Sequence, residues 1–293
     1  MPRRSTVATL LLAISSGACR DPRPWQEPGW VPAAPPARVV AGSVLAARVV
    51  QAVDPWDRLV AVHELARDPG FSLVADEASG LPTVGASPEQ LLSARPDLVV
   101  VDAFTRAETL ALLAAADVPV VRTADPRGFD DIGANVRRIG EVTHLAAAAD
   151  RLARAMQQRL AAIRDAGRDL PPWRVLSLDG ALHTYGRGSL FDAVVTAAGA
   201  RNVAAEHGVG PFRKLDVEEV LSWRPDAIVL SLPPDGEPGT PEWLRQMPGM
   251  QLLPCVAKGR LVFVPGALLG TTSHRLVDAV ELLQRRLRAW GAP

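Results

Sequence analysis

The chain has 293 residues, with 32 basic and 32 acidic side chains and a formal net charge of zero. That balance argues against a nucleic-acid binder, which usually shows a basic excess or stripe. At 48% hydrophobic and 22% charged residues the chain is globular, not disordered, and its length suits about two domains.

The chain opens as an export address. Arg3 and Arg4 form a positive start, and residues 7–16 are apolar but too few to span a bilayer as a helix. Gly17 and Ala18 put small residues before Cys19. This layout resembles a bacterial lipobox, with residues 1–18 as a signal peptide and Cys19 as the lipidated first residue of the exported chain. Ser16 stands where that motif usually has Leu, and a plain cleaved signal with an incidental Cys19 is the alternative. Residues 19–37 hold Pro22, Pro24, Pro28, Pro32, Pro35 and Pro36, so they read as an extended tether, with the fold beginning near Arg38. Once Cys19 carries lipid, Cys255 has no partner and is expected to be a buried, inert thiol.

Strands and helices alternate from Arg38 onward. Strand patterns at 38–42, 59–63, 98–102 and 118–122 are interleaved with helical patterns at 45–52, 88–94 and 109–116, which predicts an α/β lobe over 38–128 with a mainly parallel sheet. Residues 129–167 carry no strand signal. Ile132, Val136, Ile139 and Val142 recur at helical spacing behind Asp130, a candidate cap, and Thr143-His144 marks a bend. A second helix over 145–166 would run about 33 Å at 1.5 Å per residue, ended by Gly167. Alternation resumes over 168–293, with strands at 174–178, 227–232 and 261–264 and helices at 190–198, 217–223 and 273–289.

An internal repeat ties the two halves together. Residues 89–101 and 218–230 are identical at seven of thirteen positions and lie 129 residues apart, on either side of the long helix. Each copy reads as a helix, an Arg-Pro-Asp turn and a buried strand, and each Pro biases the preceding Arg away from the helical region. The helix starts match as well. Ser87 with Gln90, and Asp216 with Glu219, have the spacing of capping boxes. Glu89 and Glu218 therefore hold the same place in two equivalent first turns, where a carboxylate at least complements the helix dipole.

These residues carry a resemblance to the periplasmic substrate-binding proteins of ABC importers for iron-siderophores, haem and vitamin B12. It rests on Arg38-Val39-Val40, residues 57–62 and 81–85, the two repeat copies, and Asp131-Ile132, Asn135-Val136 and Gly140-Glu141. Gly186-Arg187-Gly188-Ser189 and residues 198–203 complete it in the second half. The resemblance implies two similar α/β lobes joined by one long rigid helix, with ligand held in the cleft between them and little movement on closing. It implies a periplasmic or surface location with a lipid anchor, and as partners a permease dimer with its ATPase. It also gives Glu89 and Glu218 a use, as one acid on each lobe docking into permease arginines. Neither catalysis nor a resident cofactor is implied, because the metal arrives with the ligand.

Ligands of open α/β sheets sit beyond the carboxyl ends of the strands. The loops there offer Ser43, His63, Phe104, Tyr185, Arg187, His207, Phe212 and His274 as candidate ligand-binding residues, within stretches that include His183 and Thr271. One or two of the histidines would ligate a haem iron, a corrin cobalt or a bare metal, or else serve as ordinary loop hydrogen bonders. The loop at 85–88 has no aromatic residue, so Phe104, Tyr185, Phe212 or Trp243 would have to pack a planar ligand. Two other functions compete: a receptor for free zinc or manganese, and a secreted metal-dependent hydrolase using His63, His183 or His274. The hydrolase gains little from His63-Glu64, because residue 67 is Arg where a zinc-protease motif needs a second His.

Overall fold

A computed structural model describes residues 29–53 and 57–293. The signal segment and Cys19 lie outside the described residues. Two α/β lobes are built on parallel sheets, with two antiparallel helices between them. In the first lobe, β1 (Val39–Ala41), β2 (Leu59–His63), β3 (Thr83–Val84), β4 (Leu98–Val101) and β5 (Val120–Arg122) pair in the order β3-β2-β1-β4-β5. Every neighbouring pair is parallel. All four residues of β4 are buried, as an unbroken apolar run in a sheet covered on both faces requires. Helices α1 (Val44–Val53), α2 (Pro88–Ser93) and α3 (Ala107–Ala115) connect the strands.

The spine follows as α4 (Phe129–Val142) and α5 (Ala146–Ala166), hinged at His144, whose φ is 59°. Asp130 does not cap α4. Gly128 holds that position, and Asp130 in the first turn instead accepts a hydrogen bond from Gln157 of α5 at 3.0 Å.

The second lobe contains β6 (Arg174–Ser177), β7 (His183–Thr184), α6 (Leu190–Ala197), β8 (Arg201–Asn202), α7 (Val203–Glu206), β9 (Arg213–Lys214), α8 (Val217–Trp223) and β10 (Ala227–Leu232). It ends with α9 (Glu242–Gln246), α10 (Pro254–Ala257), β11 (Leu261–Pro265), α11 (Gly266–Leu269) and α12 (Leu276–Trp290). Its main sheet runs β11-β10-β6-β8, all parallel, and β7 pairs with β9 antiparallel as a separate ribbon.

The repeat has a structural meaning beyond its helices and strands. Asp97 accepts the backbone N–H groups of Ala37 and Arg38 at 2.7 and 2.9 Å, while the Arg38 guanidinium donates to the carbonyls of Arg95 and Ala94 at 2.8 and 2.7 Å. The second lobe repeats this. Asp226 accepts the Arg174 N–H at 2.8 Å, and Arg174 donates to the carbonyls of Trp223 and Arg224 at 2.9 and 3.2 Å. Each clamp ties the start of a lobe's first strand to the turn before its β4 or β10. Arg95 and Arg224 leave the right-handed helical region, as the following prolines require, but they enter the left-handed region at φ 48° instead of the extended one. There they close the helix ends while their carbonyls face the clamping arginine. The helix starts are less alike. Asp216 and Glu219 form a reciprocal capping box, whereas Ser87 accepts the Gln90 N–H and the Gln90 side chain folds over Gly85 instead of returning to the cap.

One apolar cluster runs from the first sheet (Val39, Val100) through α4 and α5 (Ile139, Ala153, Leu160) to the second sheet and α12 (Val175, Val229, Val280). Separate clusters fill the outer face of each lobe. Cys255 lies in the outer cluster of the second lobe, and burial pushes its thiol up to about 11, so it is inert as expected. Ion pairs add to the spine, from Arg159 of α5 to Asp278 and Glu281 of α12 at 2.7 and 2.6 Å. The chain before Arg38 rests on the spine too. The carbonyls of Trp30 and Pro32 meet Arg138 and His144 at 2.6 and 2.8 Å.

The tightest point of the spine is Gly140, where a Cβ would collide with the Cβ of Ala149 across the α4–α5 contact. Gly140→Ala is expected to cost about 1–3 kcal/mol, read as a lower urea midpoint with an unchanged slope. An unchanged midpoint would mean that the two helices are free to separate.

Candidate functional site

The carboxyl ends of both parallel sheets open onto one cleft. From the first lobe come Gly42 and Ser43 after β1, His63 at the end of β2, Asp102 and Phe104 after β4, and Thr123, Asp125, Pro126 and Arg127 after β5. From the second come Ser177, Leu178 and Asp179 at the end of β6, His183 and Tyr185, Ser231 on β10, and Gly266, Gly270 and Thr272 after β11. The chain reverses its direction across the first sheet between β1 and β4, and across the second between β6 and β10. Such reversal points are where open α/β sheets leave a crevice. Ser43 with Asp102, and Asp179 with Ser231, flank the two crevices. The resulting cavity is about 740 Å³, with an arm of about 230 Å³ toward His63 and Phe71 that shares Phe104, Asp125 and Pro126 with it. This falls in the range of small-molecule sites, about 300–1,000 Å³.

Aromatic rings furnish the cleft from both sides. On the second lobe His183 stacks on Phe212 with ring centres 5.0 Å apart, and Tyr185 meets Phe212 at 5.4 Å. Phe104 approaches from the first lobe. Phe104 is 74% exposed and Phe212 56%, so both present open ring surface to the cavity. The second-lobe cluster is held by the β7–β9 ribbon, and by the N–H groups of Gly186 and Arg187 donating to the carbonyls of Gly210 and Val209 at 3.0 and 2.9 Å. A Cβ on Gly186 would collide with those two carbonyl oxygens, so only glycine lets the loops close this tightly.

His183 is the best-oriented polar group in the cleft. Its Nδ1 lies 2.9 Å from Asp179 Oδ2, and Asp179 Oδ1 accepts the N–H groups of Ala181 and His183, each at 2.9 Å. Partial burial alone would raise the Asp179 carboxyl, but these bonds from His183 and Ala181 outweigh it and hold the group below the usual carboxylate range. An ionised carboxylate only accepts, so Nδ1 carries the proton and Nε2 keeps its lone pair when the ring is neutral. Carboxylate-held histidines of this kind are how proteins orient metal ligands. In the sequence His183 belongs to a candidate loop and to the histidines of the hydrolase alternative, but not to the candidate ligand-binding residues. Its available signal is an Asp four residues earlier, at the end of a strand.

Of the residues the sequence singled out, Ser43, His63, Phe104, Tyr185 and Phe212 line the cleft. Two have local duties. Ser43 Oγ accepts the Ala46 N–H at 3.2 Å at the start of α1, and His63 Nδ1 accepts the Leu65 N–H at 3.2 Å. Three others do not line it. Arg187 turns away toward the carbonyl of Ala205 at 3.4 Å. His207 caps α7 and stacks flat on Trp223 at 4.4 Å. His274 is buried where the start of α12 meets Arg48 of α1. Trp243 packs against the outer cluster of the second lobe. Glu89 and Glu218 are exposed in the first turns of α2 and α8.

Comparison with known proteins agrees with this architecture. Residues 39–268 match the family model described as periplasmic binding protein. The chain is 27% identical over 203 residues to a cobalamin-binding protein of Halobacterium salinarum, covering 68% of this chain and 55% of that one, so it spans about half the length of that relative. It is 27% identical over 209 residues to a vitamin B12-binding protein of Pectobacterium carotovorum, covering 68% of this chain and 73% of that one. Among solved structures, the apo periplasmic haem-binding protein of Roseiflexus sp. RS-1 superposes with a TM-score of 0.76 at 27% identity, over 86% of this chain and 98% of that one.

The burial of His274 has a pH signature. Desolvation first, then Arg48 and Arg275, push its imidazole down from 6.5 to about 4. As pH falls the unfolded chain takes up this proton before the folded one does, so the contribution is intact above 6.5 and declines between 6.5 and about 4. His274→Gln should flatten the dependence of unfolding free energy on pH across that window. An unaltered slope would place His274 in contact with solvent.

Proposed function

Because the chain belongs to the periplasmic binding protein family, we propose that it is the substrate-binding lipoprotein of an ABC importer. In this reading it is anchored to the membrane through Cys19. It captures a metal chelate (cobalamin, a ferric siderophore or haem) between its lobes and delivers it to the permease dimer and its ATPase. One observation carries the reading: exposed aromatic rings from opposite lobes, Phe104 and Phe212, face a cavity of about 740 Å³ formed at the strand ends of both sheets. Flat apolar walls suit a large planar ligand. His183, held by Asp179, offers its Nε2 as an axial ligand to the metal inside the chelate. The three relatives described above are named for binding cobalamin, vitamin B12 or haem, which supports a binding role over a catalytic one.

A receptor for free zinc or manganese has less support. Such an ion needs several convergent side chains, and among the described residues no three His, Cys, Asp or Glu groups gather to hold one. The hydrolase reading shares that lack and adds another: His274, one of its candidates, is buried away from the cleft.

Delivery would use the paired acids. Glu89 and Glu218 occupy equivalent first turns on the two lobes, are exposed, and have no hydrogen-bonding partner among the described residues. Two like-placed carboxylates suit a two-fold permease presenting arginines, because carboxylate–Arg pairs fix orientation.

Two measurements check the proposal. Cobalamin, ferric haem and a ferric siderophore are screened by thermal shift, and at least one should raise the melting temperature, because a ligand that binds only the folded state stabilises it by mass action. No shift with any of them would contradict chelate capture. Separately, the double charge reversal Glu89→Lys with Glu218→Lys should abolish uptake in cells and leave ligand affinity unchanged. Normal uptake by that variant would remove the docking role.

A further inference from the structure

We propose that the cleft selects a neutral or cationic corrinoid over a porphyrin bearing carboxylates, with Asp102, Asp125 and Asp179 as the residues that set this preference. The inference rests on the reading of the cleft as a chelate site and narrows it to one ligand chemistry.

The charge of the described lining carries it. Three acids face the cavity and its arm, against one guanidinium, Arg127, and the imidazoles of His63 and His183. Asp179 is kept ionised by three hydrogen bonds. Asp102 accepts the Phe104 N–H at 3.0 Å and so also aims that ring. Asp125 is exposed and has no partner among the described residues. Neighbouring bases are engaged elsewhere. Arg213 pairs with Glu219 at 2.6 Å, Arg122 donates to the Ala103 carbonyl, and Arg187 turns toward Ala205. Lys214, opposite His183 in the β7–β9 pair, lies outside the cavity lining. The remaining polar groups are mostly hydroxyls, among them Ser43, Ser177, Ser231 and Thr272.

Haem brings two ionised propionates. Entering this cleft, they would give up water with one guanidinium to receive them and three carboxylates to repel them, and a charge desolvated without a partner is costly. A corrinoid carries carboxamides around its ring instead. Their N–H₂ groups can donate to the aspartates, and their carbonyls can accept from the serine and threonine hydroxyls. A cationic cobalt centre would add attraction to the negative potential that an acid-lined cleft concentrates. Selection thus works by what the cleft repels as well as by what it holds.

The test titrates purified protein with cyanocobalamin, which is neutral, aquocobalamin, which is cationic, ferric haem and a ferric siderophore, using calorimetry at low and high salt. Cyanocobalamin is expected to bind more tightly than ferric haem by about tenfold or more, with aquocobalamin at least as tight at low salt. Asp125→Lys, whose folding is checked by circular dichroism, should shrink the gap between cobalamin and haem by about tenfold. Haem binding as tightly as cobalamin, or a gap indifferent to Asp125→Lys, overturns the corrinoid assignment. A ferric siderophore bound in place of both also overturns it but leaves the chelate site standing. If none of the three chelate classes binds, both readings fall.

Discussion

The apolar core that passes through α5 is the constraint on which the rest of the molecule depends. Most two-lobed folds keep a separate core in each lobe and join them by strands that can flex. Here Ala153, Met156 and Leu160 of the spine lie in the same cluster as Val39 of the first sheet and Val229 of the second. Closing the lobes by a large angle would expose that shared surface, at about 25 cal/mol for each Å² uncovered. The cleft is therefore largely formed before anything enters it. A site of this kind gains affinity from preorganised walls, not from movement.

Within that frame the two lobes use the same local devices. A basic residue at the start of the first strand, Arg38 or Arg174, holds the carbonyls of a left-handed turn, and an aspartate two residues after that turn's arginine holds the strand's N–H. This clamp sets where β4 and β10 begin relative to β1 and β6. Hence it also sets where their carboxyl ends deliver Asp102 and Ser231. Sequence similarity between the halves is thus a similarity of cleft-positioning machinery, and the cleft contents are free to differ. The first lobe contributes Phe104 to the main cavity and Phe71 to its arm, while the second contributes the stacked set His183, Phe212 and Tyr185.

Much of this was legible in the sequence because the signals are local. Unbroken apolar runs mark buried parallel strands, three-and-four spacing marks the spine, and the Arg-Pro-Asp turns mark the repeat. The features that escaped depend on contacts distant in the chain. His274 sits in a loop by sequence, yet packing between α1 and α12 buries it beside Arg48. His207 was drawn away by Trp223. The β7–β9 ribbon has strands of two residues each, too short for any alternation, and it depends on the close approach of Gly186 to Val209 and Gly210. Without that ribbon His183 looks like any loop histidine. The left-handed conformation at Arg95 and Arg224 was likewise invisible, since the prolines that follow them ordinarily favour extended backbone.

The central claim is that a ligand lodges between lobes whose shared core does not open. Hydrogen–deuterium exchange with and without cyanocobalamin tests it most directly. The account predicts slowed exchange confined to the cleft loops around Phe104, Asp125, Asp179 to Arg187 and Gly270, with α5 equally protected in both states. Protection that spares those loops, or faster exchange along α5 when ligand binds, would contradict it.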